Sequence, residues 1–192
     1  MTQRKLGTIA VLAVTALLVA LLFSVVQSVK RNASLPLSHA SIIREQAAAK
    51  RVDPALVAAV IYAESKFDPR PSSAGAQGLM QILPATAYYL AHLSGGRRFT
   101  ASDLATPKIN VAYGTYYLRY LLDHYHGDEL LAVAAYNGGL ANVDRWAQRA
   151  GADGTRLTAE AIPFPETRAY VQRVFAAQRA YRSAYPRELG LR

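Results

Sequence analysis

The 192-residue sequence contains no cysteine. That excludes a disulfide framework, a thiolate metal site, a thiol nucleophile and a lipid-acylated N-terminal cysteine. A domain lying outside the cytoplasmic membrane would therefore rest on its hydrophobic core alone. Internal repeats, low-complexity tracts, hairpin signals and alternating β-branched runs are also missing, which argues against a sheet-based fold. No Asp or Glu occurs from Pro69 to Ser102, a gap that matters for any chemistry needing paired carboxylates. Negative charge is scarce throughout, with 13 Asp and Glu against 22 Lys and Arg and a formal net charge of +9. Four of the basic residues fall in the first 31, leaving 18 against 13, or +5, for the remainder. Such a surface suits nucleic acid, an anionic lipid or an anionic wall polymer, and equally serves solubility.

What is present begins with an apolar run. Leu6 to Val29, LGTIAVLAVTALLVALLFSVVQSV, carries no charge and is flanked by Arg4 and Lys5 on one side and Lys30 and Arg31 on the other. A bilayer needs about 20 apolar residues, whereas a signal-peptide core has about 7–15. Residues 1–31 are accordingly expected to be an N-terminal membrane anchor, a transmembrane helix spanning 6–29. A cleaved signal is the alternative, but no A-x-A pattern stands near Ser24 or Ser28. The flanking charges are balanced and do not orient the span. Residues 32–37, NASLPL, read as a linker, and 38–192 as one globular domain.

Within that domain Ala, Leu and Tyr recur at spacings of three and four. They predict helices over 38–50, 54–67, 76–82, 84–92, 107–125, 129–137, 140–150 and 165–185. Asp53 can cap a helix whose first residue is Pro54, and Gly138-Gly139 suits a stop after Asn137. The expected fold class is all-α: a compact helical domain preceded by the transmembrane helix.

Glu64 stands out. On a helix starting at Pro54 it shares a face with Val57, Val60, Ile61 and Phe67. A carboxylate on a packed face either finds a partner or holds its proton, and a proton held near neutral pH is what a general acid needs. The competing reading is an edge glutamate paired to Arg70. After the helix, PSSAGAQGLMQILPATA (71–87) is a small-residue loop in which Gly75 and Gly78 permit close backbone approach. Met80 and Gln81 follow, an apolar contact and a two-way amide, a pairing suited to a sugar. AVAAYNGG (132–139) places Tyr136 and Asn137 at the end of an apolar helix, within reach of a cleft.

Taken together, AESKFDP around Glu64-Ser65, SSAGAQGLMQILPATA, NVAYGTYYLRYL (110–121), AVAAYNGG and IPFPETRAYVQRV (162–174) resemble, in order and spacing, the motifs of the soluble-lytic-transglycosylase-like (SLT) domains of bacteria. The similarity extends over about residues 40 to 180. It implies a lysozyme-like helical fold and cleavage of the β-1,4 bond between N-acetylmuramic acid and N-acetylglucosamine in peptidoglycan. Carried over position by position, Glu64 is the catalytic acid/base. Ser73, Gln81, Tyr136 and Asn137 are polar cleft residues, Met80 is a glycan contact, and Tyr170 lies near the catalytic carboxylate. No metal and no cofactor is implied.

Most glycosidases use two carboxylates. The acid-free stretch around the loop favours a single-carboxylate mechanism in which Glu64 protonates the glycosidic oxygen and then takes the proton of the muramic acid 6-hydroxyl, leaving a 1,6-anhydro end. The resemblance further implies that Tyr136 and Tyr170 orient Glu64 and that Ser73 or Gln81 holds the 2-acetamido group. Two alternatives stay open: a hydrolytic muramidase of the same fold, and a membrane-tethered domain that binds glycan strands or scaffolds an envelope assembly. Nucleic-acid binding is disfavoured, because Arg97-Arg98 is not part of a basic helix face with interleaved aromatics. Tyr113, Tyr117 and Tyr120 share one helix face and read as packing. Asp123, His124, His126 and Asp128 read as a solvated helix end, since residues two apart do not share a face. The expected partners are peptidoglycan strands and the cytoplasmic membrane, with an envelope assembly as a further one. The expected location is that membrane, N-terminus inside, with the domain in the periplasm or at the outer face.

Overall fold

The structure is a computed structural model that describes residues 16–24, 35–95 and 99–191. The chain divides into two units, Met1–Leu35 and Pro36–Arg192. In the first, residues 16–24 are helical and apolar side chains such as Leu17, Leu21 and Phe23 are exposed. Among the described residues no helix is long and apolar enough to cross a membrane. The remainder of the expected anchor, residues 32–34 of the linker and the Arg97-Arg98 pair lie outside the described residues.

The second unit is built on the helix that Asp53 and Pro54 begin. The Asp53 carboxylate accepts the Ala55 N–H at 3.0 Å, and Pro54 occupies the first turn, where its missing N–H costs nothing. Seven consecutive residues, Ala55 to Ile61, have 0% exposure. A helix apolar all round belongs at the centre of a fold rather than on its surface. Its main neighbour is the C-terminal helix.

In chain order the helices are α1 (Ala40–Lys50), α2 (Pro54–Ser65), α3 (Pro84–Leu93), a 3-10 turn (Ala101–Ala105), α4 (Pro107–His124), α5 (Glu129–Gly138), α6 (Leu140–Ala152) and α7 (Pro165–Ala184). Besides the α2–α7 pair, α5 packs on α4, α6 and α7, and α1 packs on α2 and α4. Asp53 joins the start of α2 to α7 as well, accepting from Gln178 Nε2 at 2.8 Å and pairing with Arg182 at 2.9 Å. The all-helical expectation is met.

Two local expectations are corrected. Residues 76–82 are not a helix. Gln77 and Ile82 form an isolated antiparallel bridge, exchanging N–H···O bonds of 3.0 Å, around a tight turn. Gly78 (φ +75°) and Gln81 (φ +45°) take left-handed backbone there. At Gly78 any side chain would meet Asn110 at 2.1 Å, so only glycine fits. Leu79 and Ile82, buried three apart, imitate a helical spacing over a segment too short to be one. Phe67, placed on the α2 face by spacing, lies beyond the helix end: α2 stops at Ser65, and Lys66 and Phe67 both have left-handed φ, 53° and 65°. Consecutive left-handed non-glycine residues cost about 1–2 kcal/mol each. They turn the chain sharply away just after Glu64.

Candidate active site

Glu64 occupies the last turn of α2, where the buried part of that helix meets solvent. The Tyr170 hydroxyl, from α7, donates to Glu64 Oε1 at 2.7 Å. Burial pushes the Glu64 carboxyl up from 4.5 to about 7. The Tyr170 hydrogen bond and the positive charge of Arg173 pull the other way without cancelling it. Arg173 sits over the Tyr170 ring, 5.7 Å from its centroid. The expected alternative, a Glu64–Arg70 pair, does not form, because Arg70 is bound to Asp68 at 2.6 Å on the exposed rim.

A cavity of about 310 Å³ opens over this group, lined by Glu64, Ser65, Lys66, Asp68, Arg70 and Gln81. One wall is the 77–82 turn, held by two polar side chains. Ser65 Oγ donates to Leu79 O at 2.8 Å, with Ile61 O also near it at 3.2 Å. Asn110, at 0% exposure on α4, accepts the Met80 N–H at 2.8 Å and donates to Gln77 O at 2.8 Å and Leu104 O at 3.1 Å. In this way the turn's buried backbone groups are satisfied although it belongs to no helix or sheet.

The sequence-predicted residues separate on this frame. Tyr170 and Glu64 are in direct contact. Tyr136 lies close enough that the Glu64 charge acts on its phenol, which burial holds well above its ordinary pKa. Its hydroxyl, however, donates to Met80 O at 2.9 Å rather than to Glu64. Gln81 lines the cavity and uses its amide nitrogen on Arg70 O (2.9 Å) and Gly78 O (2.8 Å). Its amide oxygen is thereby left for a donor. Asn137 is exposed; its Oδ1 accepts from Thr167 Oγ1 at 2.8 Å, which leaves its amide N–H groups outward.

Two residues depart from expectation. Met80 is completely buried, its side chain filling the space that Gly114 leaves on α4, so it serves as packing and as the carbonyl that holds Tyr136. Apolar area of that kind gains more from the core than from the rim. Ser73 is exposed and is not part of the cavity wall. The neighbouring Ser72 makes the local bond instead, accepting the Ala76 N–H at 3.0 Å.

Spacing alone missed Ser65, Asn110, Thr167 and Arg173. Asn110 carried a signal, a lone amide opening an apolar helix face. Arg173 carried a weaker one, three residues after Tyr170 on the same helix. A larger cavity of about 480 Å³, beside His126, Asp128 and Arg156, has no comparable chemistry. Its acid group, Asp128, caps α5 by accepting the Leu131 N–H at 3.1 Å. The acid and histidine residues around it are dispersed: Asp123 pairs with Arg119, and His124 with Asp144.

Similarity to known proteins follows the same frame. The chain is 32% identical to the soluble lytic murein transglycosylase of Escherichia coli K12 over 150 residues, 77% of this chain and 23% of that protein. It thus spans about a quarter of the length of the curated relatives it matches. Among solved structures, an inactive mutant of Pseudomonas aeruginosa lytic transglycosylase Slt, with a glutamate changed to glutamine, superposes with a TM-score of 0.71 at 30% identity, over 78% of this chain and 24% of that one. A 70 kDa soluble lytic transglycosylase in complex with bulgecin A superposes with a TM-score of 0.72 at 32% identity, over 78% and 25%. The family description "Transglycosylase SLT domain" matches residues 41–158, a span that includes Glu64, the 77–82 turn, Asn110, Tyr136 and Asn137. By that match, over well more than half its length, this chain belongs to the SLT transglycosylase family.

Proposed function

We propose that the domain is a peptidoglycan lytic transglycosylase with Glu64 as its single acid/base, cleaving the β-1,4 bond between N-acetylmuramic acid and N-acetylglucosamine and leaving 1,6-anhydro ends. The observation that carries this reading is one carboxyl, buried at the mouth of a cavity, whose pKa of about 7 lets it both give and take a proton near neutral pH. Family membership and the inactive glutamate-to-glutamine relative support it. The other acid lining the cavity, Asp68, is exposed and tied to Arg70, which argues against a paired-carboxylate hydrolysis.

In this mechanism protonated Glu64 donates to the glycosidic oxygen as the bond to the anomeric carbon breaks. The substrate's 2-acetamido group stabilises the positive charge that develops. Ionised Glu64 then removes the proton of the muramic acid 6-hydroxyl as that oxygen bonds to the anomeric carbon, so proton and bond both balance without water. Tyr170 steadies the ionised form through its 2.7 Å bond. The Gln81 amide oxygen is the acceptor offered to the acetamido N–H.

A substrate of this kind places the domain outside the cytoplasmic membrane. The uncharged run 6–29 would be its anchor, with the N-terminus inside; its length and lack of charge in the sequence support this. A linker of six residues, with a reach of about 20 Å, would confine cleavage to wall close to the membrane. The chemistry is tested by mass spectrometry of products released from purified peptidoglycan by the full chain. Anhydro-muropeptides support the reading, reducing-end muropeptides replace it with hydrolysis, and no release replaces it with a binding role. Proteolysis of the domain in intact spheroplasts tests the topology.

A further inference from the structure

The point where the chain enters the domain is fixed in place and ringed by cations. The Tyr181 hydroxyl on α7 donates to Pro36 O at 2.5 Å. Tyr181 is completely buried, and Tyr62, Phe67 and Tyr185 close round its ring with centroids 6.3, 6.1 and 5.9 Å away. Those three surrounding residues are themselves half-exposed. Pro36 and Leu37 therefore belong to the domain, and the free tether is shorter than the linker read from sequence. Arg179 and Arg182 lie near the end of α7, Arg187 just beyond it, Arg44 on α1 and Lys66 beside Phe67, all of them exposed. Arg44 is tied to the same corner, donating to Glu188 O at 2.7 Å.

Charge and position indicate the partner. Arg182 is paired with Asp53 at 2.9 Å. Arg44, Lys66, Arg179 and Arg187 form no salt bridge among the described residues, and Glu188 is the single acid in the segment after α7. The dipole of α7 accounts for a cation in its last turn, but not for Arg44 and Lys66, which belong to other elements. A neutral glycan has no use for these charges. Half-exposed aromatic rings set among exposed cations are instead the make-up of a membrane–water interface, where rings sit at the headgroup level and Lys and Arg meet anionic lipid. The uncharged run 6–29 would bring a bilayer within a few residues of Pro36. We infer that Arg44, Lys66, Arg179 and Arg187 form a docking surface for anionic lipid headgroups, which holds the domain against the membrane in one orientation. Docked in this way, Glu64 works at a set height, because about 16 Å of α7 separates Tyr181 from Tyr170, the residue bonded to Glu64. This rests on the anchor reading for what brings the membrane near, though not for the lipid chemistry.

The chain has no cysteine, so a single introduced thiol carries a dye at one known place. The full chain is labelled through Ser183→Cys, exposed near the end of α7, or through Gln148→Cys, exposed on α6. Each is reconstituted with vesicles of phosphatidylcholine, or of phosphatidylcholine mixed with phosphatidylglycerol, and read by energy transfer to headgroup-labelled lipid. On the anionic vesicles transfer should be greater at position 183 than at position 148, and the excess should fade at high salt. Arg179→Gln with Arg187→Gln should lower the docked-to-undocked ratio roughly thirtyfold. Arg179→Lys with Arg187→Lys should keep it, and melting curves confirm that these exposed substitutions leave the fold intact. Equal transfer at the two positions, or an excess as large on neutral vesicles, overturns the docking surface whatever the anchor does, and leaves the cations to an acidic protein or wall polymer. A chain that stays in solution beside neutral vesicles yet shows the excess on anionic ones keeps the surface and overturns only the anchor. Muropeptide release plays no part in the readout, so failure of the lytic reading leaves the result intact.

Discussion

The two ends of α2 face opposite problems. Its start is conventional: a capping aspartate, a proline in the first turn and seven residues sealed in apolar surroundings. At its end an ionisable group sits in low dielectric, two non-glycine residues take left-handed backbone, and a serine is diverted to a neighbouring turn. The first arrangement stabilises the fold; the second spends part of that stability to hold Glu64 where its proton is available. One helix therefore anchors the core at one end and presents the acid at the other.

The contrast can be broken most directly at Glu64. Glu64→Gln should lower muropeptide release by about 10³-fold, within the range of general acid–base contributions. The same change should stabilise the protein at alkaline pH. A carboxyl whose folded pKa is about 7 against 4.5 for the ordinary group is no burden below pH 4.5, where both states are protonated; the burden grows as pH rises from 4.5 to 7 and is complete above 7. The unfolding free energies of variant and parent should thus lie close together at pH 4 and diverge by pH 8, by about 3 kcal/mol. A gap that does not change with pH would show that Glu64 is not buried as described.

Next in size is the turn. Asn110→Ala strands the Met80 N–H and two carbonyls and opens a hole beneath Gly78, a loss of about 2–3 kcal/mol in denaturant unfolding. Activity should fall with it at temperatures where the variant remains folded, since Tyr136 hangs from the same turn. Tyr170→Phe removes only the donor to Glu64. Because that bond favours the ionised form, the alkaline limb of the pH–rate profile should move above 7, with roughly a tenfold loss in kcat. At the quiet end, Asp53→Ala should cost about 1–2 kcal/mol of stability and leave the pH profile in place. A profile shifted by Asp53→Ala would mean the two ends are coupled.

Seven of the eight expected helices were legible in the sequence because helix signals are local: Pro54, Pro84, Pro107 and Pro165 each open one, and apolar spacing carries each on. Glu64 was legible as an anomaly, a charge inside an apolar run. The 77–82 turn was not, because its shape depends on Asn110, some thirty residues away, whose amide replaces the hydrogen bonds a helix would have made. Met80 was misplaced for a related reason. Its neighbours in sequence are polar site residues, but the space it fills is the one left by Gly114 on another helix.

Composition, the proline-opened helices and the apolar run around Glu64 were enough to determine an all-helical domain and to single out its acid. Only the tertiary structure decided what that acid can do, because its proton affinity comes from burial, from Tyr170 and from Arg173, the last two reaching it from a helix more than a hundred residues further along the chain. Helix formation depends on neighbours within a turn, which a sequence states directly. A pKa depends on every charge and every missing water around the group, which exist only once the chain has folded.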